Sequence, residues 1–278
     1  MKIGFIGAGK TGFSLGKYFC ERGLNVAGYY SRSLESAEQA AEFTGTRCFD
    51  DIESIVRECD LLFLTVPDRA IKEVWGEIRD LPLSGKIICH CSGSLSSEVF
   101  DGIAQTGARG FSLHPLMTMN DKLNSYKSLY DAHFTLDGAA GVLEIIKPLG
   151  NPIHIISARD KPLYHCAAVF VSNFTVALAQ TGIDLLKRSG CENCSEALLN
   201  LMSASVRNIV KQGPANALTG PVERNDAETI KSHLPCLNDS EKRLYALLSE
   251  KLIEIAKIKN PDIDYDELSI LIKDVKDL

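Results

Sequence analysis

The chain has 278 residues, of which 45% are hydrophobic and 24% charged, and a net charge of −6. That length leaves room for two domains and a large buried core, and the composition is that of a soluble globular protein. The acidic balance, with no basic run, argues against a nucleic-acid groove.

The first strand is predicted at once, over Met1-Lys2-Ile3-Gly4-Phe5-Ile6, so no secretory signal is expected before it. Gly7-Ala8-Gly9-Lys10-Thr11-Gly12 follows directly and opens a helical pattern. A G-x-G-x-x-G run between strand and helix is a dinucleotide fingerprint. Gly7 allows the tight turn, Gly9 lets backbone approach a pyrophosphate, and Gly12 lets the helix pack closely on the strand. The free N–H groups near Lys10 and Thr11 point at the phosphates.

The second strand, about residues 25–30, ends where a ribose-contacting residue is expected. Tyr29-Tyr30-Ser31-Arg32-Ser33 holds no carboxylate there, and the first acidic residue is Glu35. Arg32 can pair with a 2′-phosphate while Ser31 and Ser33 offer donors, which favours NADP over NAD. Ser33 also suits the cap of a helix starting at Leu34.

Further strands are predicted around 46–49, 60–66, 86–91, 108–113, 133–136 and 153–156, with helices near 34–44 and 52–58. The run Asp60-Leu61-Leu62-Phe63-Leu64-Thr65-Val66 has the continuous apolar character of a strand buried on both faces. This alternation implies an α/β fold with a Rossmann-like, parallel, doubly wound sheet over residues 1–158. From Asp160 onward only helical periodicity remains, near 160–188, 195–212, 226–235, 239–258 and 264–276. Residues 159–278 therefore read as an all-α domain. The apolar stretch 162–186 is interrupted by His165, Ser172, Asn173, Gln180 and Asp184, so it reads as a buried helix and not as a membrane span.

The nine cysteines are scattered along the chain. Cys191-Glu192-Asn193-Cys194 has C-x-x-C spacing but no second pair and no thioredoxin-like unit around it, so a reduced, cytoplasmic protein is expected. No cluster of His and carboxylates has metal-ligand spacing, so no metal is expected and a metal-dependent hydrolase is disfavoured.

Ligands in such sheets bind beyond the C-terminal strand ends. Three segments fall there: Thr65-Val66-Pro67-Asp68, Cys91-Ser92-Gly93-Ser94 and Ser112-Leu113-His114-Pro115. Each also serves as ordinary turn chemistry; together they suggest one pocket. Val66, Pro67 and Ser92 are candidates for the cofactor, and Ser92, Gly93 and His114 for substrate. On the first long helix, His165, Ala168, Val169, Ser172 and Asn173 share one face at 100° per residue. His165 is the candidate proton donor, Lys161 one turn earlier is a reserve, Asn173 orients the reactants and Ser172 meets substrate. Satisfying buried backbone groups would also account for His165 and Asn173. Thr219 and Arg224, in Leu218-Thr219-Gly220-Pro221-Val222-Glu223-Arg224, can hold an anionic substrate group.

Taken in order, these motifs resemble a family that pairs an NADP-binding Rossmann-like domain with a helical C-terminal domain of unknown function. The Leu-Thr-Gly-Pro segment is the most specific mark, and the likeness covers essentially the whole chain. More distantly the chain is similar to the superfamily of 6-phosphogluconate dehydrogenase, ketopantoate reductase and pyrroline-5-carboxylate reductase. That resemblance implies hydride transfer in a cleft between domains, a small-molecule substrate and a homodimer built through the helical domain. The β-hydroxyacid dehydrogenases of that superfamily use Lys followed by Asn on the helix leading into the second domain. Here His165 occupies that region, with Asn173 further on. The expected activity is NADP(H)-dependent hydride transfer to or from a carbonyl, hydroxy acid or imine; a non-catalytic NADP-binding redox sensor or scaffold is the alternative.

Overall fold

The computed structural model describes residues 1–138, 140–191 and 193–276. Two compact units divide it, Met1–Thr175 and Val176–Leu278.

The first unit holds all eight predicted strands: β1 (Ile3–Ile6), β2 (Val26–Tyr30), β3 (Arg47–Cys48), β4 (Leu61–Leu64), β5 (Ile87–His90), β6 (Arg109–Pro115), β7 (Phe134–Gly138) and β8 (Ile153–Ile155). They form one sheet in the order β3-β2-β1-β4-β5-β6-β7-β8. Helices α1 (Lys10–Glu21), α2 (Leu34–Thr44), α3 (Ile52–Glu58), α4 (Asp68–Ile78) and the short α5 (Leu143–Ile146) connect them, with 3-10 turns elsewhere. Successive strand residues go to opposite faces. Phe5, Phe63 and Cys89 join one buried cluster with Phe19, Tyr29 and Phe111. Ile6, Leu62, Leu64 and Ile88 join the other with Trp75 and Ile78. Burial on both faces is why β4 reads as unbroken apolar sequence.

One expectation is corrected. β1 to β6 run parallel, but β7 is antiparallel to β6, pairing Phe134 with Pro115 and Leu136 with Leu113, and β8 then runs parallel to β7. The connection between β6 and β7 holds only a 3-10 turn (Ser125–Tyr130). No helix is there to carry the chain to the far sheet edge, so the strand turns back where β6 ends.

The predicted single helix 160–188 is two helices, α6 (Lys161–Val171) and α7 (Asn173–Arg188). Ser172 between them has φ −107° and ψ −67°, and its Oγ donates to the Ala168 carbonyl oxygen at 2.7 Å. Such back-bonding competes with the backbone ladder and bends helices. The expected burial is also corrected. In the single chain Leu163, Phe170 and Val171 of α6 are 72%, 62% and 77% exposed. By length and composition alone, the 31 residues Ala158–Arg188 would suffice to cross a membrane. Asp160, the residue before α6, makes no side-chain cap bond; Ser157 caps the preceding 3-10 turn instead.

The second unit contains α8 (Ser195–Ala217), α9 (Ala227–His233), α10 (Asp239–Lys259) and α11 (Asp266–Lys276). α8 outruns its prediction because it continues past a kink at Gly213, whose φ is 78°, and Pro214. Ile230, Ala246, Ile253, Leu268 and Ile272 form the core. Asp226 caps α9, accepting from Thr229 N at 3.0 Å. Asn238 and Glu241 form a capping box on α10. Cys191 and Cys194 are joined by a disulfide, which corrects the expectation that every thiol is reduced: the turn brings their Cα atoms to 5.7 Å, within bridging range. Glu192 between them lies outside the described residues. The other seven cysteines are free. Among the described residues no group of three or more His, Cys, Asp or Glu is placed to hold a metal.

Candidate functional site

The glycine turn has the geometry its spacing demands. Gly7 has φ +109°, and a Cβ there would lie 2.7 Å from the Thr65 carbonyl oxygen. A Cβ on Gly12 would lie 2.7 Å from Thr65 Oγ1, which itself donates to the Gly7 carbonyl oxygen at 2.6 Å. α1 therefore meets β1 and β4 with no room for a side chain. Gly9 differs, since a Cβ on it would meet nothing within 4 Å. It is the N-cap of α1 and carries no side-chain cap. Open space thus stands over a helix N-terminus with free N–H groups, the arrangement a phosphate requires.

Three cavities line up along this sheet edge. The first, about 150 Å³, is lined by Gly7, Gly9, Ser31, Arg32, Val66 and Pro67 among others, and Glu73 and Glu77 of α4 also reach it. Arg32 is exposed and without an ion-pair partner among the described residues. Ser33 caps α2, its Oγ accepting from Ser36 N at 3.3 Å. The second cavity, about 380 Å³, shares Gly9, Val66 and Pro67 with the first and adds Lys10, Thr11, Asp68, Ser92 and Met119. The third, about 810 Å³, shares Lys10 and Met119 with the second and reaches His114, Tyr164, His165, Ser172 and Asn173. A path therefore leads from Arg32 past the glycine turn to the histidines, all within the first unit.

The predicted stripe on α6 does face one cavity, since His165, Ala168, Val169, Ser172 and Asn173 all line it. The bend at Ser172 does not disperse them. Among the described residues His165 Nδ1 is buried and has no hydrogen-bond partner, so Nε2 is the ring nitrogen left to meet a ligand. His114 Nδ1 lies 2.8 Å from the Tyr164 hydroxyl, and the His114 and His165 rings meet edge to face at 6.1 Å. Burial, with Lys161 and His165 adding to it, holds the His114 pKa down to about 4.

Other candidates have different surroundings. Lys161 is fully buried; its Nζ donates to the Ser92 carbonyl oxygen at 2.9 Å and to Ser112 Oγ. Burial lowers its pKa. It does not line the third cavity. Ser92 Oγ donates to Asp68 Oδ2 at 2.7 Å and accepts from Leu95 N at 2.9 Å, so its hydroxyl is already engaged. Asp68, the first residue of α4, makes these loop contacts and no cap bond. Gly93 leaves room for side chains of the protein itself: a Cβ there would lie 2.5 Å from His165 Nδ1 and 3.0 Å from His114 Nε2. Thr219 and Arg224 belong to the second unit and are exposed. Their loop is pinned by Lys259 Nζ on the Leu218 carbonyl and Tyr265 Oη on the Glu223 carbonyl, both 2.7 Å. Sequence reasoning missed Tyr164; its place one residue before His165, one helical turn after Lys161, was the available signal.

The sheet order and the glycine turn define a Rossmann-like protein extended by a helical region. Residues 1–115 match the Rossmann-like domain family, and residues 136–252 match a domain of unknown function, DUF2520. Among solved structures the chain is similar to "putative NADP oxidoreductase BF3122" from Bacteroides fragilis, with 25% identity, a TM-score of 0.74, and coverage of 91% of this chain and 98% of that one. An imine reductase from Myxococcus stipitatus in complex with NADP+ shares the fold, at 17% identity and a TM-score of 0.62 over 99% and 93% of the two chains. A curated relative, "Putative 6-phosphogluconate dehydrogenase YqeC" of Bacillus subtilis (strain 168), is 30% identical over 99 residues. That match takes in 35% of this chain and spans about a third (33%) of the relative's length.

Proposed function

We propose that the protein is an NADP(H)-dependent oxidoreductase that transfers hydride to or from a small carbonyl, hydroxy-acid or imine substrate. The observation that carries this reading is the run of adjoining cavities from Arg32 through Gly9 and Lys10 to His165. The open backbone at Gly9, the uncapped α1 and Arg32, which has no ion-pair partner among the described residues, fit a dinucleotide bearing a 2′-phosphate. The solved structures described as an NADP oxidoreductase and an imine reductase with NADP+ support the same cofactor.

When bound, the nicotinamide supplies or accepts the hydride. The remaining work falls to side chains of this protein. Gly7, Gly9, Gly12, Lys10 and Thr11 hold the pyrophosphate, Ser31, Arg32 and Ser33 the 2′-phosphate, and Val66, Pro67 and the Ser92 loop flank the ring. His165 gives a proton to the substrate oxygen or nitrogen through Nε2, and Asn173 orients the reactants. Lys161 acts from behind, holding the Ser92 loop in place. The polar wall of His114, Tyr164, His165 and Asn173 favours catalysis over a sensor, which needs no proton donor there.

A second copy of the chain is the proposed cover for the exposed apolar residues of α6, α7 and α8. Leu201 and Val210 of α8 are 64% and 82% exposed, and α7 and α8 bury no residue in the single chain.

Calorimetric titration with NADPH and NADH tests the cofactor. Tight NADPH and weak NADH binding are expected; binding of neither would remove the oxidoreductase reading. Once a substrate is found, His165→Asn should abolish turnover with NADPH affinity intact, and retained turnover would reduce His165 to a packing residue.

A further inference from the structure

The third cavity is lined by His114, Tyr164, His165, Asn120, Asn173 and Lys10 as its polar groups of consequence, and by Leu116, Met117, Met119, Val169 and Val171 as its apolar ones. No Asp or Glu is among its lining residues. A cationic group entering it would give up water without gaining a counter-charge, whereas an acceptor oxygen would find donors on several sides. Resting on the oxidoreductase reading, we propose that the substrate is a carbonyl compound with an apolar body, neutral or anionic, whose oxygen is met by the Nε2–H of His114, held in that tautomer by the Tyr164 hydroxyl.

A phenol O–H is a stronger donor than a neutral imidazole N–H, and an imidazole nitrogen is the better acceptor. The 2.8 Å contact is therefore Tyr164 O–H donating to His114 Nδ1, which puts the ring proton on Nε2. That nitrogen stands over Gly93, on the side where His165 also stands. The groups facing His114 are Lys161 and His165, which oppose a positive ring, Asp68, which favours one, and Tyr164. Burial and Lys161 outweigh Asp68, so the ring stays neutral through the physiological range. A neutral imidazole N–H polarises a carbonyl without giving up its proton, and a neutral donor suits an acceptor oxygen better than a protonated iminium nitrogen. Hydride adds to the carbonyl carbon, the π pair moves to oxygen, and the proton of the new hydroxyl comes from His165. The cofactor is oxidised as the carbonyl is reduced. Tyr164 is a positioning residue acting through His114.

The test is nitrogen NMR of full-length protein labelled at histidine, saturated with NADP+, from about pH 5.5 to 8, the range in which a free imidazole titrates. His114 is expected to show a protonated Nε2 and a bare Nδ1 throughout. Tyr164→Phe should give mixed tautomers with NADP+ affinity unchanged. The probes are 4-phenyl-2-butanone, 2-oxo-4-phenylbutanoate and the iminium form of 2-methyl-1-pyrroline. Either carbonyl probe should shift the Nε2 resonance at about tenfold lower concentration than the pyrroline, and Tyr164→Phe should weaken that response up to about tenfold, the worth of one neutral hydrogen bond. A charged His114, a proton on Nδ1, a response to the pyrroline first, or no response to either carbonyl overturns the proposal. Failure to bind NADP+ with the His114 tautomer as stated overturns the cofactor reading instead.

Discussion

Lys161 Nζ donates to the Ser92 carbonyl oxygen at 2.9 Å, joining residues 69 positions apart. With Ser112 Oγ as its other partner, it fastens the first turn of α6 to the turn after β5 and to the middle of β6. No carboxylate among the described residues bonds to it directly. Burial lowers its pKa below the value it has in the unfolded chain, so the unfolded state holds its proton more tightly. This contribution is least favourable below the folded pKa and improves as pH climbs from there towards about 10.5. Urea unfolding between neutral and alkaline pH should show wild type gaining on Lys161→Met as pH rises. At pH 7 the variant, with the Ser92 carbonyl and Ser112 hydroxyl unpaired, should be less stable by about 1–3 kcal/mol. Parallel pH curves for the two proteins would disprove the linkage.

Arg32→Ala should weaken NADPH about 10- to 100-fold, the worth of a charge-assisted hydrogen bond, and leave NADH almost unchanged. Calorimetry with both cofactors at fixed salt decides it. Equal loss for the two would mean that Arg32 does not read the 2′-phosphate.

Gly9 and Gly12 separate binding from folding. A methyl group on Gly9 meets nothing in the protein, so Gly9→Ala should melt close to wild type yet bind NADPH poorly, because the methyl occupies the phosphate's space. On Gly12 the methyl strikes Thr65 Oγ1 and the Gly7 carbonyl, an overpacking that costs about 1–3 kcal/mol. Thermal denaturation together with NADPH titration of each variant tests the distinction. Equal melting losses would contradict it.

If a second copy covers α8 as proposed, wild type should sediment as a dimer and Val210→Asp as a monomer at equilibrium, since an aspartate cannot be buried against an apolar face without a partner. Vesicle flotation of the wild type supplies the contrast. Wild-type protein that sediments as a monomer and floats with lipid would replace the second copy by a membrane as the cover of α6, α7 and α8.

Most of the sheet was legible because its signals are local. The period of apolar residues marked all eight strands, and the glycine spacing marked the turn whose contacts Gly7 and Gly12 make. The direction of β7 was not legible: nothing in residues 133–136 says which way a strand runs, and the decision lies in the missing crossover helix. The stripe from His165 to Asn173 followed from helical geometry, and its members do line one cavity. The bend at Ser172 was hidden because a serine on a helix reads the same whether it back-bonds or faces solvent. Tyr164 escaped for a different reason. Its partner His114 is 50 residues away, and only the fold brings the two together.

The reversal of β7 sets the phase of everything after it. Lys161 meets Ser112 and Tyr164 meets His114, so three residues along the helix are matched to two along the strand. At 1.5 Å per helical residue and about 3.3 Å per strand residue the two scales agree only approximately, and the rotation about the helix axis completes the match. The connection between β8 and α6 therefore acts as a keyed coupling. One residue added to or removed from 156–160 would turn α6 by about 100° and withdraw Lys161, Tyr164 and His165 from their partners together. The length of that short connection, more than the identity of any residue in it, holds the cavity wall in register.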